Sequence, residues 1–178
     1  MSGLTNPTSA DHLAAEAGSF EPQRQNNFTF EVALGDADRD LIEMGLNALP
    51  LPNEANEIVE LLFQNEKRKV AGQSTVDDVT LTIVDFVDKD TRGAIMRWRK
   101  MVYDPQTGKI GLAKDYKKTA YIVLHGPDES NVRVCKLKGT WPSAVNGGSL
   151  SMEGSDKVLI EVTLTIDKAD WSESITGA

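Results

Sequence analysis

The sequence predicts a mainly β protein: a β-sandwich or small barrel with one α-helix on its flank. Three observations carry this. Several short runs of β-branched residues alternate with a period of two, polar turns separate them, and one stretch repeats its apolar residues at helical spacing. The 178 residues suffice for one domain with a core of its own.

Residues 1–26 are small, polar and proline-containing, and predict a mobile arm. Residues 27–34 (NFTFEVAL) place Phe28, Phe30, Val32 and Leu34 on one side and Thr29, Glu31 and Ala33 on the other, a half-buried strand. Residues 35–40 read as an acidic turn and 41–48 as a mixed segment. The two prolines of 49–56 (LPLPNEAN) cannot continue a ladder, so this is an exposed loop that carries leucines. Residues 57–72 read as helix by propensity, with Ile58, Leu61 and Leu62 on one face, and alternate poorly. Residues 76–84 are a strand in which Val79, Leu81 and Ile83 alternate with Thr80, Thr82 and Val84.

The helix lies within 88–103. Ile95, Trp98 and Val102 recur at helical spacing and form its core-facing side. Asp90 or Thr91 caps its start, and Arg97, Arg99 and Lys100 sit in later turns, where the helix dipole favours cations. Strands follow at 119–124, 132–137 and 158–166, with a turn at 127–131 and an irregular stretch at 139–154.

No run approaches the roughly 18 apolar residues of a membrane-spanning helix. The first twenty residues lack the basic and apolar regions of a secretory signal, which predicts synthesis and folding in a cytoplasm. The single cysteine, Cys135, excludes an intrachain disulfide and reads as a small buried hydrophobe. His12 and His125 are too far apart for a metal pair, and no calcium loop surrounds Asp77 and Asp78. Asp85, Asp88 and Asp90 read as a strand end and a helix cap, and Gly147 with Gly148 as a turn. Cys135 and His125 have no third group to orient them, and no nucleophile elbow or phosphate loop occurs. The chain is read as no enzyme, with no metal and no cofactor.

The net charge is −8, distributed unevenly: residues 1–66 hold 12 acidic and 2 basic side chains, and residues 67–178 hold 15 acidic and 17 basic. Such a balance argues against binding nucleic acid by phosphate neutralisation. It serves solubility, or a surface past which a polyanion slides.

Three ordered blocks are more specific. Residues 67–102 run from a basic hairpin end through Ala-Gly and an alternating strand to a helix with a central Trp. Residues 113–147 place Asp-Tyr-Lys-Lys before one strand and Lys-Gly-Thr-Trp-Pro after another, and 158–171 form a closing strand with a terminal Trp. With the first strand and Ala-Leu-Pro at 48–50, this set resembles the tail tube proteins of contractile-tailed bacteriophages over residues 27–171. The family has an extended hairpin at 57–72, which makes that stretch strand.

The resemblance implies six copies in a ring, strands of each copy joined into a continuous β-barrel around a lumen, and rings stacked into a tube. It implies a virion component made in the bacterial cytoplasm. Its partners would be further copies of itself, a sheath protein, and baseplate and tail-terminator proteins, with DNA passing through the lumen without specific binding. Leu49, Pro50, Leu51, Pro52, Asn53 and Glu54 resemble the loop that reaches the neighbouring ring, with Leu49 and Leu51 as its apolar contacts. Glu57 and Glu60, or Glu54, are candidates for the lumen or a ring contact. Trp141 and Trp171 are candidate interface aromatics, with core packing as the default for each. Residues 1–26 are then an arm, 27–171 the tube domain and 172–178 a tail. Two other readings stay open: the tube of a related contractile injection or secretion system, and a monomeric β-sandwich binding module.

Overall fold

The computed structural model describes residues 23–126 and 131–173. Most of the arm, most of the turn at 127–131 and the end of the tail lie outside the described residues. The alternating run becomes β1 (Phe28–Val32), with Phe30 and Val32 buried and Glu31 outside. Then follow α1 (Asp36–Gly45), β2 (Leu46–Ala48), β3 (Glu54–Phe63), β4 (Glu66–Val76), β5 (Val79–Val84) and α2 (Thr91–Val102). The short β6 (Tyr103–Asp104), β7 (Lys109–Ile110) and α3 (Ala113–Tyr116) lead to β8 (Lys118–His125), β9 (Asn131–Asn146), β10 (Leu159–Thr165) and β11 (Lys168–Glu173).

Seven strands form one antiparallel sheet in the order β1-β8-β9-β10-β5-β2, with β11 also on β9. Strand β9 is 16 residues long, and it joins the two halves. Its first part pairs with β8 and β11, its last with β10. It runs through the first half of the stretch expected to be irregular. Pro142, which has no amide to donate, sits where the pairing with β10 shifts register between Thr163 and Leu164. Gly139, at φ +70°, passes so close to Asp167 that a Cβ there would lie 2.1 Å from its carboxylate. The sheet's inner face closes on Phe30, Val32, Leu81, Ile83, Ile122, Leu137, Ile160, Val162 and Leu164.

The expected helix is α2. Ile95, Trp98 and Val102 are buried, and the Trp98 indole Nε1 donates to the Tyr116 carbonyl at 3.1 Å. Asp90 caps it, accepting from the Gly93 amide at 3.0 Å. A second helix, α1, stands where a turn and a mixed segment were expected. It buries Ile42 and Gly45 only, so its apolar stripe is too narrow to read. What fixes it is tertiary. A Cβ on Gly45 would lie 2.8 Å from the Ile83 side chain, so only glycine lets the helix end rest on β5. Arg97 of α2 bonds Asp38 of α1 and, at 2.8 Å, Asp90. The Asp-Tyr-Lys-Lys motif is a joint: Tyr116 meets the Trp141 ring edge-on at 5.6 Å, and Lys117 pairs with Asp167 at 2.7 Å.

Two outcomes follow. Gly139→Ala should destabilise the fold by at least about 1 kcal/mol, because the new Cβ meets both a left-handed backbone and Asp167. A denaturation midpoint equal to wild type contradicts the corner. The second concerns acid. The Arg97 guanidinium holds the Asp90 carboxyl below its usual 3.8, burial opposes this, and the Gly93 amide adds to it. A lowered folded-state pKa stabilises fully above 3.8 and is lost as pH falls below it. Melting temperature should therefore drop between about pH 5 and pH 2, and Asp90→Ala should flatten part of that drop. A variant profile parallel to wild type refutes the assignment.

Candidate functional site

A two-stranded sheet has no interior, and apolar residues on it stay in water unless another surface covers them. Among the described residues, strands β3 and β4 pair only with each other and form a hairpin outside the main sheet. Its base is tied by the Asp77 amide to the Asn53 carbonyl at 2.9 Å and by Asn53 Nδ2 to Asp77 Oδ2 at 2.8 Å. A bulge at Gly72 and Gln73 of β4 lies opposite Glu57, and a Cβ on Gly72 would meet the Glu57 carbonyl at 3.1 Å. The two-residue turn at Gln64 and Asn65 puts Gln64 at φ 56°, a left-handed position that costs a side-chain residue roughly 1–2 kcal/mol.

Along its outer part Ile58, Glu60 and Leu62 share a face with Ala71, Lys69 and Lys67. Val59, Leu61 and Phe63 share the other with Val70, Arg68 and Glu66. Arg68 lies over the Phe63 ring at 5.4 Å, and Lys67 pairs with Glu60 at 3.1 Å. Phe63 is 61% exposed and Leu62 77%. Ile58, Leu61 and Val70 are also exposed. Fully covering such a side chain stabilises by about 1.5–3 kcal/mol, against about 0.2–1 kcal/mol for an exposed ion pair. Apolar area is therefore a larger source of stabilisation on this hairpin than its ion pairs.

The proline loop is less exposed than its composition predicts. Leu49 packs half-buried on the chain's own core and Pro52 is buried, while Leu51 stays half-exposed and Pro50, Asn53 and Glu54 are exposed. Leu49 and Leu51 line a groove of about 490 Å³ with Phe28, Ile122 and Leu124. Glu57 and Glu60 lie on β3 in solvent, away from the loop. Trp141 is half-buried and packs on Tyr116, whereas Trp171, on β11 rather than beyond the last strand, is 38% exposed. The structure thus brings together the loop and the hairpin base, sets β11, which carries Trp171, against β4, and packs Trp141 elsewhere on Tyr116. Sequence reasoning missed Lys67, Lys69, Val59, Phe63 and Val70 as surface residues of one piece. The signal was there: apolar residues on both faces of a run bearing charges mark an uncovered hairpin.

Among the described residues, reactive groups do not converge. Cys135 is buried opposite Ile122, and burial pushes its thiol up to about 11. His125 pairs instead with Thr29 Oγ1 at 3.0 Å. Asp85 holds Arg92, and Asp77 and Asp78 bond Asn53 and Thr165. Among the described residues, no three His, Cys, Asp or Glu side chains are grouped to hold a metal, and no helix is long and apolar enough to cross a membrane.

No family model matches the chain. It is 30% identical over 159 residues to tail tube protein gp19 of Enterobacteria phage T4, covering 86% of this chain and 93% of that protein. The same figures hold for tail tube protein gp19 of Enterobacteria phage T6. Its fold is shared with a chain of the sheath-tube complex of an extracellular contractile injection system, at a TM-score of 0.66 and 19% identity, covering 92% of this chain and 97% of that one. It is also shared with a chain of the anti-feeding prophage tube-terminating cap, at 0.67 and 16%, covering 86% and 93%. The chain belongs to the tail tube proteins of contractile-tailed phages and is a structural, non-enzymatic tube subunit.

Proposed function

We propose that six copies of this chain close into a ring, that rings stack into the inner tube of a contractile tail, and that DNA passes through its lumen without specific binding. A sheath surrounds the tube, and baseplate and terminator proteins meet its ends. The observation that carries this is the hairpin β3–β4, whose outer part is apolar on both faces and, among the described residues, unpaired at both edges and uncovered. Hairpins placed side by side extend one another's ladder and close the edges that would otherwise invite uncontrolled pairing.

The lumen reading of Glu60 acquires a condition. A face that carries Glu60 carries Lys67 and Lys69 with it. That face is mixed in charge rather than acidic, so DNA stays mobile only if the lysines are neutralised by carboxylates. Of the leucines on the proline loop, Leu51 is the one left for a neighbouring ring, since Leu49 is engaged with the core. Trp171 remains available to a neighbour, and Trp141 serves the subunit's own packing. Residues 1–26 are assigned to an arm outside the tube domain.

Negative-stain electron microscopy over a range of concentrations tests the reading, with sheath or baseplate partners added. Wild-type protein should form hollow rings or tubes. Leu51→Asp should block stacking while leaving the melting temperature within a few degrees of wild type, because a carboxylate would be desolvated between rings. Protein that stays monomeric under all these conditions contradicts the tube. A variant that loses its fold contradicts the placement of Leu51.

A further inference from the structure

The two strands of the hairpin carry opposite charge. Strand β3 holds Glu54, Glu57 and Glu60 and no cation, and β4 holds Lys67, Arg68 and Lys69 against the single Glu66. The steep change in charge along the sequence falls at this turn. Each strand is also a free edge, because among the described residues the sheet contains only these two. One subunit thus presents an acidic edge and a basic edge, back to back. Within the hairpin only Glu60 and Lys67 form an ion pair, and Glu57 and Lys69 have no ion-pair partner among the described residues.

We propose that this asymmetry selects the mode of assembly: the β3 edge of one copy pairs with the β4 edge of the next, head to tail around the ring. The inference rests on the tube reading and adds what determines the contact. Two copies joined by a twofold axis would set β3 against β3 or β4 against β4, placing three glutamates against three, or Lys67, Arg68 and Lys69 against their own kind. Like charges directly opposite one another on paired strands are destabilising. Pairing β3 with β4 sets carboxylate against ammonium instead. It uses a different patch on each side, so it propagates and closes into a ring rather than ending at a dimer. Glu60 and Lys69 lie level within one hairpin, so copies related by rotation about an axis along the hairpin bring Glu60 beside the Lys67–Lys69 stretch of the next copy. Glu57 and Lys69 gain partners there. The lumen lysines are then neutralised by protein carboxylates, which meets the condition for letting a polyanion slide.

The test inverts one edge at a time. Glu57→Lys with Glu60→Lys makes both edges basic, and Lys67→Glu with Lys69→Glu makes both acidic; Arg68 is kept because it packs on Phe63. Each variant alone should need about tenfold or more protein to assemble than wild type. An equimolar mixture should recover tubes near the wild-type concentration, since acidic and basic edges alternate around an even-numbered ring. A strain confined to one hairpin would persist in the mixture, so recovery there identifies the contact as one between copies. The inference is overturned if either variant alone assembles like wild type. It is also overturned if the mixture stays unassembled while the chain carrying all four substitutions forms tubes, which would place the charges' role within the hairpin. Wild-type protein that never assembles overturns the tube reading and this inference with it. Circular dichroism and melting of each variant establish that the main sheet is folded.

Discussion

Apolar side chains must be covered, and this chain covers its own in one place and leaves them open in another. The covered set is the inner face of the seven-stranded sheet, closed by the passage of β9 from one half to the other. The open set is the hairpin β3–β4, which has no second layer. Everything else follows from this division. The sheet, α1 and α2 make the body from which the hairpin projects, and in the proposed tube a neighbouring copy completes the hairpin.

The joint that makes the body rigid is concentrated in few residues. Tyr116 accepts the Trp98 indole hydrogen bond and touches Trp141, Lys117 binds Asp167, and Gly139 leaves room for Asp167 beside β9. These residues come from α2, α3, β9 and the turn after β10, so one small cluster ties helix to sheet and half-sheet to half-sheet. The exposed ion pairs of α1 and α2 set orientation more than stability, since such pairs contribute about 0.2–1 kcal/mol each. On the hairpin the same division of labour holds. In the proposed ring, apolar area supplies the drive to associate, and the placement of glutamates and lysines decides which edges meet.

Much of this was legible in the residues. Alternation placed β1 and β5 and identified their buried sides, and the spacing of Ile95, Trp98 and Val102 identified α2. Helix α1 was hidden because it buries so little, and its place depends on Gly45 against Ile83, a contact made across the fold. The length of β9 was hidden because Trp-Pro looks like a break, whereas the Gly-Gly pair is one, just past the strand's end. Pro142 is tolerated at a register shift, and Gly139 is what the corner requires. The hairpin was ambiguous for a deeper reason: a strand without a covered face has no face to encode by alternation, so propensity alone points to helix. For the same reason the loop leucines could not be told apart, because Leu49 is held by the core and Leu51 is not.

The central claim is that the hairpin completes its structure only against neighbouring copies. Amide hydrogen exchange of the free subunit and of assembled tubes tests it most directly. The account predicts slow exchange in β5, β8 and β10 in both states, and outer-edge amides of β3 and β4 that exchange quickly in the free subunit and become protected in the tube. Hairpin amides equally protected in the free subunit, or still unprotected in the tube, would contradict it.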